Sequence, residues 1–126
     1  MVTKIETILV VDDEKNTCFG LKTLLGREGY RVECVHNGEE GLNFLKENSA
    51  QLIISDIRMP GMDGLSFISC LKEKHPDIRV IVMTAFGGLD SYIEAMRKGA
   101  VEYIMKPLKI NELKVIIQRL ESGSAA

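Results

Sequence analysis

Two hydrophobic periods alternate along this chain, and no other feature constrains its fold as much. Short β-rich runs recur at Thr7 to Val11, Arg31 to Val35, Leu52 to Ser55, Arg79 to Thr84 and Val101 to Met105. Between them, apolar residues return every three or four positions, the period of one helix face. Cys18, Leu21 and Leu25 mark such a face between Lys15 and Glu28, and Leu42 and Leu45 mark a second that ends near Asn48. Leu65, Ile68 and Leu71 belong to a third, from Gly64 to about Lys74; a fourth covers about Asp90 to Lys98. Ile110, Leu113, Ile117 and Leu120 mark the last. The punctuation agrees. Gly29 and Gly99 suit left-handed helix caps, Asn37 to Glu40 has the form of an N-terminal cap with Glu at its third position, and His75-Pro76-Asp77 breaks a helix. The order is (βα)5. It predicts an α/β fold, a doubly wound parallel sheet with helices on both faces. The near-continuous apolar runs of the first, third and fourth strands suit central positions. The alternating second strand suits an edge.

A chain of 126 residues with 45% hydrophobic content fits one globular domain. The expected extent is 1–121, with 122–126 (SGSAA) a linker, a truncation point or an appended tail. The longest apolar runs, Ile8 to Val11 and Val80 to Met83, are four residues each, far short of a membrane span. The N-terminal stretch lacks the apolar region of a secretory signal. A net charge of −2 with interleaved Lys, Arg and Glu gives no basis for nucleic-acid binding by this segment. The three cysteines, Cys18, Cys34 and Cys70, are far apart and form no CxxC. That pattern argues against zinc and for a reducing compartment, so the expected location is the cytoplasm. Each cysteine reads as a small packing residue.

In a parallel sheet every strand ends on the same edge, and ligands bind there. Strand one ends at Asp12-Asp13, strand three at Asp56, strand four at Thr84 and strand five at Met105-Lys106. Three carboxylates, a hydroxyl and an ammonium therefore meet on one rim. Such carboxylates tolerate one another only with a cation or a proton between them. Oxygen ligands without His or Cys select a hard cation, and Mg²⁺ suits phosphate chemistry. Asp56 then reads as a carboxylate nucleophile toward phosphorus. Lys106 would neutralise charge, and Thr84 would donate its hydroxyl to a phosphoryl oxygen. Taken singly, an Asp after a strand is more often a turn or cap residue, and a Thr is simply a β-former. The weight lies in their convergence.

The same residues resemble the receiver domain of bacterial two-component response regulators. ILVVDDE carries Asp12 and Asp13, IISDIRMPGMDG carries Asp56, VIVMTA carries Thr84, and YIMKP carries Lys106. The resemblance runs from about Thr7 to Leu120. It implies strand order 2-1-3-4-5, a flavodoxin-like arrangement, and phosphorylation of Asp56 by a histidine kinase or phosphotransfer protein. It implies Mg²⁺ held by Asp13, Asp56 and the backbone carbonyl of Arg58, with Asp12 acting largely through water. It makes Thr84 and Tyr103 a switch pair and the Lys106-Pro107 bond cis. The surface of the fourth helix, fifth strand and fifth helix would then respond, toward an output domain, a partner protein or a second copy in a phosphorylation-dependent homodimer. A phosphoacceptor switch of this kind is not a turnover enzyme, although it catalyses its own phosphorylation and dephosphorylation. The first-helix face near Lys15 to Cys18 would dock the kinase. Arg58 and Phe86, two residues after Asp56 and Thr84, would flank the hydrolytic water and lengthen the phosphoryl lifetime. Gly87-Gly88 would open a mobile entry to the fourth helix. The look is closest to receivers of transcriptional activators that carry an ATPase module, although this chain has no GxxxxGK[ST] of its own.

Three rival readings stand beside this one. A Mg²⁺-dependent phosphatase with an Asp nucleophile normally carries DxDx[TV] after its first strand, where this chain has DDEKN. A flavin or nucleotide module would need a phosphate-cradling loop in place of the two aspartates. A receiver-like interaction domain that is never phosphorylated would not need the complete set of Asp12, Asp13, Asp56, Thr84 and Lys106.

Overall fold

The computed structural model describes residues 4–58, 61, 63–85 and 87–123. Five strands and five helices alternate strictly: β1 (Thr7–Val11), α1 (Lys15–Arg27), β2 (Arg31–Val35), α2 (Gly38–Glu47), β3 (Leu52–Asp56), α3 (Gly64–Lys74), β4 (Arg79–Thr84), α4 (Leu89–Lys98), β5 (Glu102–Met105) and α5 (Ile110–Ser122). The strands form one sheet in the order β2-β1-β3-β4-β5, and every pair is parallel. The expected fold is the observed one. Boundaries move by a residue or so. Val101 still donates to Val80 O (2.8 Å), but β5 begins at Glu102.

The period-two alternation of the strands divides the core between two faces. Ile8, Val10, Ile54 and Met83 point to the side covered by α1 and α5, where they meet Cys18, Leu21, Leu25, Leu113 and Ile117. Leu9, Val11, Ile53, Val80 and Val82 point to the other, against Leu45 of α2, Phe67 and Leu71 of α3, and Ala95 of α4. Full burial of a side chain such as Leu, Ile or Phe is worth about 1.5–3 kcal/mol. Such burial fixes the register, because a slip of one residue would exchange the faces.

Local capping follows the sequence. Asn37 accepts from the Glu40 N–H (2.8 Å), and the Glu40 carboxylate reaches back to the His36 N–H (2.7 Å). Asp63 caps α3 through the Ser66 N–H (2.9 Å). Gly29 and Gly99 have φ of 99° and 115°, the left-handed region glycine tolerates. α4 is the lightly held helix. Ala95 is its one buried residue among those described, whereas α3 buries Gly64, Phe67, Ile68 and Leu71.

Candidate functional site

The site lies on the edge where the parallel strands end. The ladders set the alignment there: Val11 lies beside Ser55, Asp56 beside Met83, and Thr84 beside Met105. Asp12, Ser55, Asp56 and Thr84 are the buried polar residues among those described, and Asp13 is exposed. Lys106 follows directly on β5, and its N–H bonds Thr84 O (2.8 Å). Its bond to Pro107 is cis, as the resemblance implied.

Asp12 and Asp56 are held by the same local device. Asp12 Oδ1 accepts from the Glu14 N–H (2.8 Å), and Asp56 Oδ1 accepts from the Arg58 N–H (3.0 Å). Each is a carboxylate bonded to the backbone two residues on, a short turn open to Asp and Asn. One oxygen of each acid is thereby fixed, and the other faces the Lys106 ammonium. Nζ lies 2.8 Å from Asp12 Oδ2 and 3.0 Å from Asp56 Oδ2. The Asp56 contact is a hydrogen bond. At Asp12 the angle is too poor for one, and Oδ2 is left buried without a hydrogen-bond partner. The attraction there is ionic.

Charge dominates the electrostatics. Burial raises the Asp12 carboxyl above its ordinary range and the Asp56 charge adds to this, against the opposing pull of Lys106 and the Glu14 N–H. Burial pulls the Lys106 ammonium down, but its close contacts with the Asp12, Glu14 and Asp56 carboxylates outweigh it and hold the group above its ordinary value. The neighbouring carboxylates thus favour the charged form of Lys106.

A metal ion fits this donor set. Carboxylate oxygens of Asp12, Asp13 and Asp56 all lie within 4.8 Å of one another. Asp12 Oδ2 is buried without a hydrogen-bond partner and is ion-paired to Lys106, so one ammonium faces the three acids and a second cation would complete the charge balance. Oxygen donors alone select a hard ion.

The family profile of the response regulator receiver domain matches residues 8–118. The chain belongs to the response regulator receiver family. It is thus a phosphoacceptor signalling domain of two-component systems. It is 36% identical over 118 residues to the regulatory protein AtoC of Escherichia coli K12, covering 94% of this chain and 26% of that one. Its identity to the DNA-binding transcriptional regulator NtrC of the same organism is 38% over 112 residues, covering 89% and 24%. The receiver thus spans about a quarter of these relatives, which are of the activator type that the sequence resembles. Among solved structures, the beryllofluoride-activated NtrC4 receiver domain dimer superposes with a TM-score of 0.87 at 34% identity, covering 93% of this chain and 97% of that one.

Asp12, Asp13, Asp56, Thr84 and Lys106 all lie at or directly after the strand ends on the one rim. Tyr103, the expected switch partner of Thr84, is half-buried on β5; its hydroxyl donates to Ser91 Oγ (2.9 Å) and its ring meets Tyr92 edge-on at 5.6 Å. Phe86 and the Met59-Pro60 turn lie outside the described residues. The pair Gly87-Gly88, expected as a mobile entry, has a packing reason at its first member: a Cβ on Gly87 would sit 2.7 Å from the Tyr103 hydroxyl and nearer still to Met105 Sδ. Sequence reasoning missed Glu14, whose carboxylate lies 2.7 Å from Lys106 Nζ. Its position right after Asp13, in the same strand-end loop, was the available signal. Among the described residues no helix is long and apolar enough to cross a membrane.

Proposed function

We propose that Asp56 of this receiver accepts a phosphoryl group from a histidine kinase or phosphotransfer protein, with Mg²⁺ held by Asp12, Asp13, Asp56 and the Arg58 backbone carbonyl. One observation carries the reading: Asp56 Oδ2 lies 3.0 Å from Lys106 Nζ while Oδ1 is anchored to the Arg58 N–H. That is a buried carboxylate turned toward a fixed cation. When bound, Mg²⁺ neutralises phosphoryl charge and orients its oxygens. An Asp56 oxygen attacks phosphorus, the bond from phosphorus to the donor imidazole breaks, and the imidazole departs with its electron pair. Lys106 faces the negative charge that gathers on the phosphoryl oxygens. Thr84 donates its hydroxyl to one of them. Hydrolysis of the acyl phosphate occurs at the same residues, and Arg58, exposed beside Asp56, screens the incoming water and prolongs the phosphorylated state.

Movement of Thr84 toward the phosphoryl group frees room for Tyr103, and α4 with its few buried contacts responds. Tyr103 bonds Ser91 on α4, so the ring and the helix move together. The face of α4, β5 and α5 exposes Leu89, Tyr92, Ile93, Met105 and Val115. It is the surface for an output domain, a partner or a second copy. The kinase docks on the opposite side of the site. There a groove of about 530 Å³, lined by Glu14, Thr17, Leu21, Leu24, Pro107 and Leu108, runs from the Lys106 loop along α1. We take residues 1–121 as the receiver, with 122–126 a linker, a truncation point or an appended tail, and the protein acts in the cytoplasm. Transfer of a labelled phosphoryl group from a phosphorylated histidine kinase tests the reading: label on the wild type in Mg²⁺, none in EDTA and none on Asp56→Asn support it. Label retained on Asp56→Asn would overturn it.

A further inference from the structure

Two of the three cysteines, far apart in sequence, are neighbours in the fold. Cys18 lies on α1 and Cys34 on β2, and both belong to the core on the α1 and α5 side. Cys34 Sγ donates to Cys18 O (3.4 Å), and Cys18 Sγ donates to Asp12 O (3.5 Å). The pair therefore stacks behind the strand end that carries Asp12. Its members differ in access: Cys18 is 4% exposed, while Cys34 is only half-buried. Cys70 sits on α3, which packs on the other face of the sheet.

We propose that Cys18 and Cys34 are a redox-active dithiol that closes to an intramolecular disulfide when a hydroperoxide reaches Cys34. The chemistry divides along the difference in access. Cys34 sulfur attacks the peroxide: an S–O bond forms, the O–O bond breaks, and the distal oxygen leaves as water or an alcohol. Cys18 sulfur then displaces the hydroxyl from the Cys34 sulfenic acid: the S–S bond forms, the S–O bond breaks, and water departs with the Cys18 proton. Two thiols are oxidised and one hydroperoxide is reduced. Closure removes the thiol that donates to the Asp12 carbonyl, so the bond would report on the loop that carries the acids. The dithiol itself stands whether or not Asp56 is phosphorylated.

The test is oxidation of the native chain by hydrogen peroxide, alkylation of remaining thiols under denaturing conditions, and peptide mapping. The expected result is a monomer that has lost two of its three free thiols. It should yield a linked Cys18–Cys34 peptide and return to the reduced form in dithiothreitol. Cys34→Ser should abolish the linked peptide and Cys70→Ser should retain it. The wild-type map needs no variant to fold. Cross-linking between molecules, oxidation falling first on Cys70, or over-oxidation of Cys34 with no linked peptide would each overturn the proposal.

Discussion

Lys106 Nζ lies 2.7 Å from the Glu14 carboxylate, closer than its 3.0 Å to Asp56. Glu14 is 60% exposed at its side chain and Lys106 only 11%. The ammonium is therefore shared between the buried acids and an exposed one, and Glu14 competes with a phosphoryl oxygen for it. Glu14→Gln should keep the fold and speed the phosphorylation of Asp56 by a small phosphodonor. An exposed ion pair is worth roughly 0.2–1 kcal/mol, so the expected gain is about 1.4- to fivefold. Rate constants from acetyl phosphate, with Lys106→Ala as the slow control, check this. An unchanged or slower Glu14→Gln would show that the contact does not restrain Lys106.

Clustered acids make the site a point of repulsion until a cation enters. Asp13 is the exposed member, so its replacement costs little packing. Asp13→Asn should melt higher than the wild type in EDTA and gain less from Mg²⁺. A ligand at a hundred times its Kd stabilises the native state by about 2.7 kcal/mol, a shift of about ten degrees for a domain of this size. Thermal melts with and without Mg²⁺ decide it; a wild-type melting point indifferent to Mg²⁺ would count against the site.

Gly64 opens α3 against the backbone of the phosphoacceptor strand end. A Cβ there would lie 2.6 Å from Asp56 O and closer to Ile57 Cα. Backbone cannot rotate away as a side chain can. Gly64→Ala should cost about 3 kcal/mol and slow phosphorylation at once, because relief requires moving Asp56. Urea denaturation and the same rate assay test the two effects. A variant of wild-type stability would mean that the helix start can shift freely.

One titration reports on the opposite end of the sheet. Tyr30 donates to Glu121 Oε1 (2.9 Å), and Glu121 Oε2 accepts from the Ile5 N–H (3.3 Å). Burial, then the bond to Glu121, pushes the Tyr30 phenol up to about 12. A free tyrosine titrates near about 10. The folded state thus keeps a proton that the unfolded state releases. The stabilisation is complete below about pH 10 and is lost as pH rises toward about 12. Wild-type stability should fall more steeply over that window than that of Tyr30→Phe, measured by urea denaturation. Parallel curves would show that the phenol is no more protected than in the unfolded chain.

The fold was legible because every strand but the last carries a strong apolar or alternating run and every helix a repeating face. The site was legible because the parallel topology converts strand ends into neighbours, which placed Asp12, Asp56, Thr84 and Lys106 together before any coordinates. What stayed hidden depends on side-chain reach. Glu14 looks like a first-turn acid until Lys106 is seen to arrive from β5. Tyr103 and Ser91 meet only because β5 packs beneath α4. Cys18 and Cys34 share no motif; adjacency of α1 and β2 alone makes them a pair.

Intact mass after incubation with Mg²⁺ and acetyl phosphate, beside Asp56→Asn, tests the assignment of Asp56 most directly. A single added phosphoryl group on the wild type, absent in EDTA and absent from the variant, is the expected result. No adduct on the wild type together with no release of phosphate from the donor would contradict it, as would an adduct of equal size on Asp56→Asn.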